Sequence, residues 1–177
     1  IMKNIKKIIK FIKDNKWASI LFEISIIVAI LWAFSWYQNR GTLAANEQPA
    51  PNFNLKSLSG ENYQLSDLKG KKVVVYFFAP WCNVCHLSAS NLNDLREART
   101  NDELEILAVG LSYEYPAEIQ DFANELQLNI PVLYGTNQQM EDYQIKGFPT
   151  YFVIDEDGRV THRSVGYSTE IGLRLRT

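Results

Sequence analysis

The chain has 177 residues, of which 46% are hydrophobic and 21% charged, enough for one domain with additional segments. Its formal net charge of −2 conceals an asymmetry: residues 1–40 carry seven Lys or Arg against Asp14 and Glu23, a net of +5, and residues 41–177 carry eleven against eighteen acidic residues, a net of −7. An acidic body behind a basic leader argues against nucleic-acid binding, which needs a basic face for the phosphates, and suits a membrane protein better.

Lysines at 3, 6, 7, 10, 13 and 16 alternate with Ile5, Ile8, Ile9 and Ile12 at helical spacing, so residues 1–16 read as a basic amphipathic segment for an anionic inner leaflet. A solvated charged helix or a targeting n-region would give the same orientation. Residues 17–37 are almost wholly apolar, long enough as a helix to cross a hydrocarbon core of about 30 Å. Trp17 at one end and Trp32, Trp36 and Tyr37 at the other supply interfacial rings. Six lysines before the run and only Arg40 closely after it orient the N-terminus to the cytoplasm and the remainder outward, which predicts a single-pass protein of the inner (cytoplasmic) membrane with a periplasmic domain. Glu23 is the one charge inside the run, placed either to reach the interface or to pair with a partner helix. Small residues at Thr42-Leu43-Ala44-Ala45 keep a cleavable signal peptide as the alternative, but the run exceeds the usual h-region of about 7–15 residues and favours an uncleaved anchor. Residues 38–51 follow as a polar tether.

Residues 52–177 form the expected domain. Phe53–Leu58 and Tyr63–Leu65 alternate around the Ser59-Gly60-Glu61-Asn62 turn as a β-hairpin, and Ser66–Gly70 turns into the strand Val73–Phe78. A helix carrying Leu87, Leu92 and Leu95 runs to about Arg99, and Leu104–Gly110 is a second central strand. Pro116 opens a helix with Ile119, Phe122, Ala123 and Leu126 on one face, Ile130–Tyr134 is a short strand, and Asn137 caps a brief helix to about Tyr143. Tyr151–Ile154 and Arg159–Arg163 flank the Asp155-Glu156-Asp157-Gly158 turn as an antiparallel hairpin, and Ser168 or Thr169 caps a last helix. Alternation of strand and helix implies right-handed crossovers, hence an α/β fold with a mixed central sheet flanked by helices.

The chemistry sits where the Val73–Phe78 strand meets Ala79-Pro80-Trp81-Cys82-Asn83-Val84-Cys85-His86, which holds both cysteines of the chain. Two cysteines one helical turn apart can close a small disulfide, and the unpaired N–H groups and dipole at a helix start favour the first sulfur as a thiolate. Cys82 is then the attacking residue and Cys85 the one that resolves the mixed disulfide, so the expected redox group is the Cys82–Cys85 disulfide itself, with no added cofactor. His86 either places a cation near the pair or faces solvent. Structural zinc lacks ligands, because His86 and His162 are the only histidines and there is no second cysteine pair; a Cu(I) site on the two thiolates needs few ligands and stands as the competing binding function.

A mixed sheet with Cys-x-x-Cys after a central strand, and Pro149-Thr150 opening the penultimate strand, resembles the thioredoxin pattern. The anchor, Pro51-x-Phe53-x-Leu55, Phe78-Ala79-Pro80-Trp81-Cys82 and the extra helix and strand before Pro149 resemble the membrane-tethered TlpA/ResA group. Val84 before Cys85 and the Gly166–Arg176 ending are similar to the suppressor-of-copper-sensitivity, or ScsD-type, members. The resemblance implies a cis bond at Pro149, substrate docking by Trp81, Phe148, Pro149 and Thr150, and a thiol-disulfide reductase of protein disulfides. It also implies recharging by a membrane donor of the DsbD or ScsB kind, with a role in copper tolerance or cytochrome c maturation. Two departures stand out. Tyr76 occupies the place of thioredoxin's buried aspartate, and Ser88 that of the glutamate of haem-maturation members, leaving a water, the Tyr76 hydroxyl or Glu114 to substitute in proton transfer.

Overall fold

A computed structural model of the protein describes residues 16–39 and 48–177. The basic segment before Lys16 and residues 40–47 of the tether lie outside the described residues. The chain divides into two units, Ile1–Arg40 and Gly41–Thr177. In the first, Lys16–Asn39 forms a single helix, α1, of 24 residues, about 36 Å at 1.5 Å per residue. Taken over its described side chains, no helix is long and apolar enough to cross a membrane. Glu23 is the one charge of α1 between Trp17 and Gln38, and Ile26, Ile27, Val28, Ile30, Leu31 and Trp32 are exposed.

The second unit is built on a five-stranded mixed sheet. In chain order it contains β1 (Asn54–Lys56), β2 (Asn62–Gln64), a 3-10 turn (Leu65–Leu68), β3 (Lys72–Phe78), α2 (Asn83–Ala98), β4 (Leu104–Gly110) and α3 (Pro116–Glu125). There follow β5 (Val132–Tyr134), α4 (Asn137–Asp142), β6 (Thr150–Ile154), β7 (Val160–Val165) and α5 (Glu170–Arg174). The sheet order is β5-β4-β3-β6-β7; β3, β4 and β5 run parallel, and β6 and β7 are antiparallel additions. β1 and β2 make a separate hairpin.

The sheet is covered on both faces, which is why β3 reads as a continuous apolar run rather than an alternating one. Val74, Tyr76 and Phe78 face a core shared with Leu92 and Leu95 of α2 and Ile119 and Phe122 of α3. Val73, Val75 and Phe77 face the opposite core with Phe53, Leu55, Tyr143 and Phe152. The Asp155–Gly158 turn forms as expected: the Asp155 carboxylate accepts from the Asp157 and Arg159 N–H groups, and Gly158 takes φ +79°.

Two local expectations change, and two points left open are decided. Leu87 points to solvent at 70% exposure, because the buried face of α2 is set by Ala89, Leu92 and Leu95. Thr136, not Asn137, caps α4 by accepting the Gln138 N–H, and Gln139 reaches back to the Thr136 N–H. Of the two candidate caps for α5, Thr169 is the one used. Gln48–Ala50, expected in the tether, already belong to the folded unit: Val160 N–H donates to Gln48 O at 2.9 Å and Ala50 N–H to Gly158 O at 2.9 Å.

Candidate redox site

β3 delivers the chain to the site. After Phe78 the backbone leaves the sheet at Ala79 and Pro80, and Cys82 becomes the N-cap of α2 in extended conformation, φ −86° and ψ 106°. Its sulfur accepts the Cys85 N–H at 3.3 Å, and its carbonyl accepts from the Cys85 and His86 N–H groups at 2.9 and 3.2 Å. An acceptor at this position meets the free N–H groups and the positive end of the helix, which favours negative charge there. Both thiols are free. Cys82 retains 7% exposure and Cys85 none. Burial, followed by the neighbouring Cys82, pushes the Cys85 thiol up to about 12, against smaller lowering contributions from the Ala79 N–H and the Tyr76 hydroxyl.

Behind Cys85 lies a buried group of hydroxyls. Tyr76 O–H donates to the Cys85 carbonyl at 3.0 Å and lies 3.2 Å from Ser88 Oγ, and Ser88 O–H reaches the same carbonyl at 3.3 Å. Tyr151 packs its ring 4.8 Å from that of Tyr76. Burial raises the phenols of Tyr76 and Tyr151 well above the ordinary tyrosine value, so Tyr76 keeps its proton and does not serve as the base expected in place of an aspartate. Glu114 is tied into the cap of α3, where its N–H donates to Glu118.

Around the sulfurs the sheet register brings the rest together. Phe77 of β3 pairs with Thr150 of β6, so the residues that follow Phe78 run beside those that precede Thr150. The Phe148–Pro149 peptide bond is cis, as the resemblance implies. Trp81 meets Phe148 edge-on at 5.9 Å between ring centroids and donates its indole N–H to Ser112 O at 2.9 Å. Trp81 is 65% exposed and Phe148 half-buried, so both present ring surface at the site. Pro149 and Thr150 are buried: Gly166 N–H donates to Pro149 O at 2.8 Å, and the Thr150 hydroxyl donates to Gly147 O at 2.8 Å. These two hold the loop in place instead of presenting side chains to a partner. His86 lies on the flank, with Nε2 2.9 Å from Pro80 O, Nδ1 3.7 Å from a Glu125 carboxylate oxygen, and its ring edge-on to Phe122. It therefore braces the Pro80 turn against α3 instead of standing free in solvent. Among the described residues no group of three or more side chains could hold a metal ion.

Sequence reasoning found the dithiol and the proline loop from local spacing. It missed Tyr151 and the Ser112 carbonyl, because only the strand register and the Trp81 hydrogen bond bring these positions to the site.

A five-stranded mixed sheet with paired thiols capping the helix after its central strand, beside a cis-proline loop, defines a thioredoxin-like thiol-disulfide oxidoreductase. The chain belongs to the AhpC/TSA family, whose pattern matches residues 47–163. It is 30% identical over 159 residues to the thioredoxin-like protein YneN of Bacillus subtilis strain 168, covering 88% of this chain and 93% of the relative. It is also 30% identical over 157 residues to the thiol-disulfide oxidoreductase ResA of Bacillus thuringiensis strain Al Hakam, covering 85% of this chain and 90% of that one. Among solved structures, the exposed lipoprotein thioredoxin Etrx1 of Streptococcus pneumoniae strain TIGR4 superposes with a TM-score of 0.64 at 27% identity, over 71% of this chain and 96% of that one.

Proposed function

We infer that the protein is a membrane-tethered reductase of protein disulfides, working on the outer side of the cytoplasmic membrane through Cys82 and Cys85. The observation that carries the assignment of roles is the Cys85 N–H donating to Cys82 Sγ at 3.3 Å at the start of α2, with Cys85 itself fully buried. In the exchange, Cys82 Sγ attacks one sulfur of a substrate disulfide and the other sulfur leaves, taking up a proton. Cys85 then attacks Cys82 Sγ, releasing the second substrate thiol and closing the Cys82–Cys85 disulfide; two electrons pass to the substrate. Trp81 and Phe148 form the docking ridge, with Phe148 the part of the proline loop left to meet an extended substrate segment because Gly166 occupies the Pro149 carbonyl. The enzyme is recharged by a membrane donor of the DsbD or ScsB kind.

Tethering is supported by the apolar run of residues 17–37, in which the described Ile26, Ile27, Val28, Ile30, Leu31 and Trp32 are exposed, as in a helix solvated by lipid. A role in copper tolerance stands on the ScsD-like features of Val84 and the Gly166–Arg176 segment. The test is a Cys85→Ala variant expressed in full-length form. Mixed disulfides joined through Cys82 should accumulate and vanish on reduction. Absence of such adducts, together with no disulfide reduction by the wild type and stoichiometric retention of Cu(I), would replace the enzyme by a copper carrier.

A further inference from the structure

Trp81 is an exposed ring held as firmly as a buried one. Its exposure is 65%, yet contacts from three parts of the chain fix it. Phe148 of the proline loop meets the ring edge-on at 5.9 Å between centroids. Ser112, in the loop between β4 and α3, accepts the indole N–H on its carbonyl oxygen at 2.9 Å. The third contact acts on the backbone. His86 Nε2 lies 2.9 Å from the carbonyl oxygen of Pro80, which belongs to the peptide group joining Pro80 to Trp81.

A carbonyl oxygen only accepts, so His86 Nε2 carries a hydrogen and donates it. The ring that donates is itself fixed. Nδ1 faces a Glu125 carboxylate oxygen at 3.7 Å, and the imidazole stands edge-on to Phe122 with centroids 4.7 Å apart. Phe122 in turn stacks on Phe78 at 4.2 Å, which anchors the histidine on the end of β3 and on α3. Ser112 is held just as closely. It takes φ +54°, a left-handed conformation that a non-glycine residue keeps only where the surrounding structure imposes it.

Cys82 follows Trp81 directly in the chain, so a protein segment whose disulfide is under attack meets this ring. An aromatic side chain with one orientation before binding offers its apolar area without an ordering cost at the moment of contact. Pro80, Trp81, His86 and Phe122 also line one open cavity of about 300 Å³, so the brace and the ring belong to one surface.

We propose that His86 is a positioning residue for protein docking: by donating to the Pro80 carbonyl it holds the Pro80–Trp81 peptide, and with Ser112 and Phe148 it presents the Trp81 ring in one orientation to a protein segment that flanks a disulfide. The proposal rests on the reductase reading and the docking ridge above. Its effect falls on the capture of a protein partner, not on the exchange of sulfurs.

Two substrates separate capture from chemistry. Insulin is a protein with disulfides; 5,5′-dithiobis(2-nitrobenzoate) is a small disulfide that needs no protein docking, and attack on it by Cys82 releases one thionitrobenzoate and leaves the other in a mixed disulfide. The full-length protein is used, with dithiothreitol in enough excess that recharging does not limit the rate. His86→Ala should raise KM for insulin about fivefold, the weight of one lost hydrogen bond, and leave kcat within about twofold of wild type. The first thionitrobenzoate release from the reduced protein should keep its wild-type rate. His86→Gln, whose side-chain amide restores an N–H donor, should return KM most of the way to wild type. KM does not depend on the fraction of enzyme that is active, so partial unfolding does not imitate the effect. An unchanged KM in His86→Ala would overturn the proposal. So would a loss carried by kcat in place of KM, a slowed thionitrobenzoate release, or a His86→Gln variant as impaired as His86→Ala. A wild type that reduces no insulin would instead remove the reductase reading itself.

Discussion

At the scale of single residues, the two cysteines are one helical turn apart and yet occupy different media. Cys82 sits at the opening of α2 with an N–H directed at its sulfur; Cys85 is enclosed by Tyr76, Ser88 and the core of α2. Proton binding by Cys85 is tighter in the folded protein, with a value of about 12 against 9.0 for an unperturbed thiol. In the unfolded chain the thiol ionises first as pH rises. The stabilisation that Cys85 gives the reduced protein is therefore complete below pH 9 and is progressively lost between pH 9 and about 12. The melting temperature of the reduced wild type should fall more steeply over that window than that of reduced Cys85→Ala, while the two curves run parallel below it. Parallel curves throughout would mean that the buried thiol is no more protonated in the folded state than in the unfolded one.

At the scale of elements, the central sheet positions everything else, and its closest tolerances lie at the ends of its parallel strands. Gly135 follows β5 with its N–H donating to Gly110 O at 2.9 Å. A Cβ there would come 2.7 Å from Val109 Cγ1 and 2.8 Å from the Gly110 carbonyl oxygen, which as backbone cannot move aside. Gly135→Ala should cost about 1–3 kcal/mol, seen as a lower denaturant midpoint with an unchanged slope. Phe78, fully buried and stacked on Phe122 at 4.2 Å, fixes α3 over the end of β3. Truncation to Ala should cost about 3–5 kcal/mol by the same measurement.

The elements themselves were largely legible. Six consecutive apolar residues in β3 announce a strand buried on both faces, and the Leu104–Gly110 strand was placed at its observed limits. The cap of α4 lies one residue before the position the sequence favours, because Thr136 and Asn137 are both good caps and only the Gln139 side chain decides between them. Pro149 and Thr150 are expected to dock a substrate backbone; the burial of their side chains is set by the pairing of β6 between β3 and β7, which local sequence does not encode. The hydroxyl group behind Cys85 was partly visible through Tyr76 and Ser88, but Tyr151 joins it only through the Tyr76–Tyr151 register.

At the scale of the whole molecule, the dithiol and the acidic charge lie in residues 41–177, and the apolar run lies in residues 17–37. If α1 spans the bilayer, the full-length protein should stay with the membrane fraction after alkaline extraction, and its intact mass should include residues 17–37. Release into the soluble fraction with that segment missing would point to cleavage at the small residues Thr42–Ala45. The division of labour between the thiols is tested most directly by brief alkylation of the reduced full-length protein with iodoacetamide at neutral pH, followed by peptide mass mapping. The N–H-bonded sulfur of Cys82, in the one cysteine of the pair that keeps any exposure, should carry nearly all the label and Cys85 almost none; equal labelling, or label mainly on Cys85, would contradict the assignment of Cys82 as attacking and Cys85 as resolving residue.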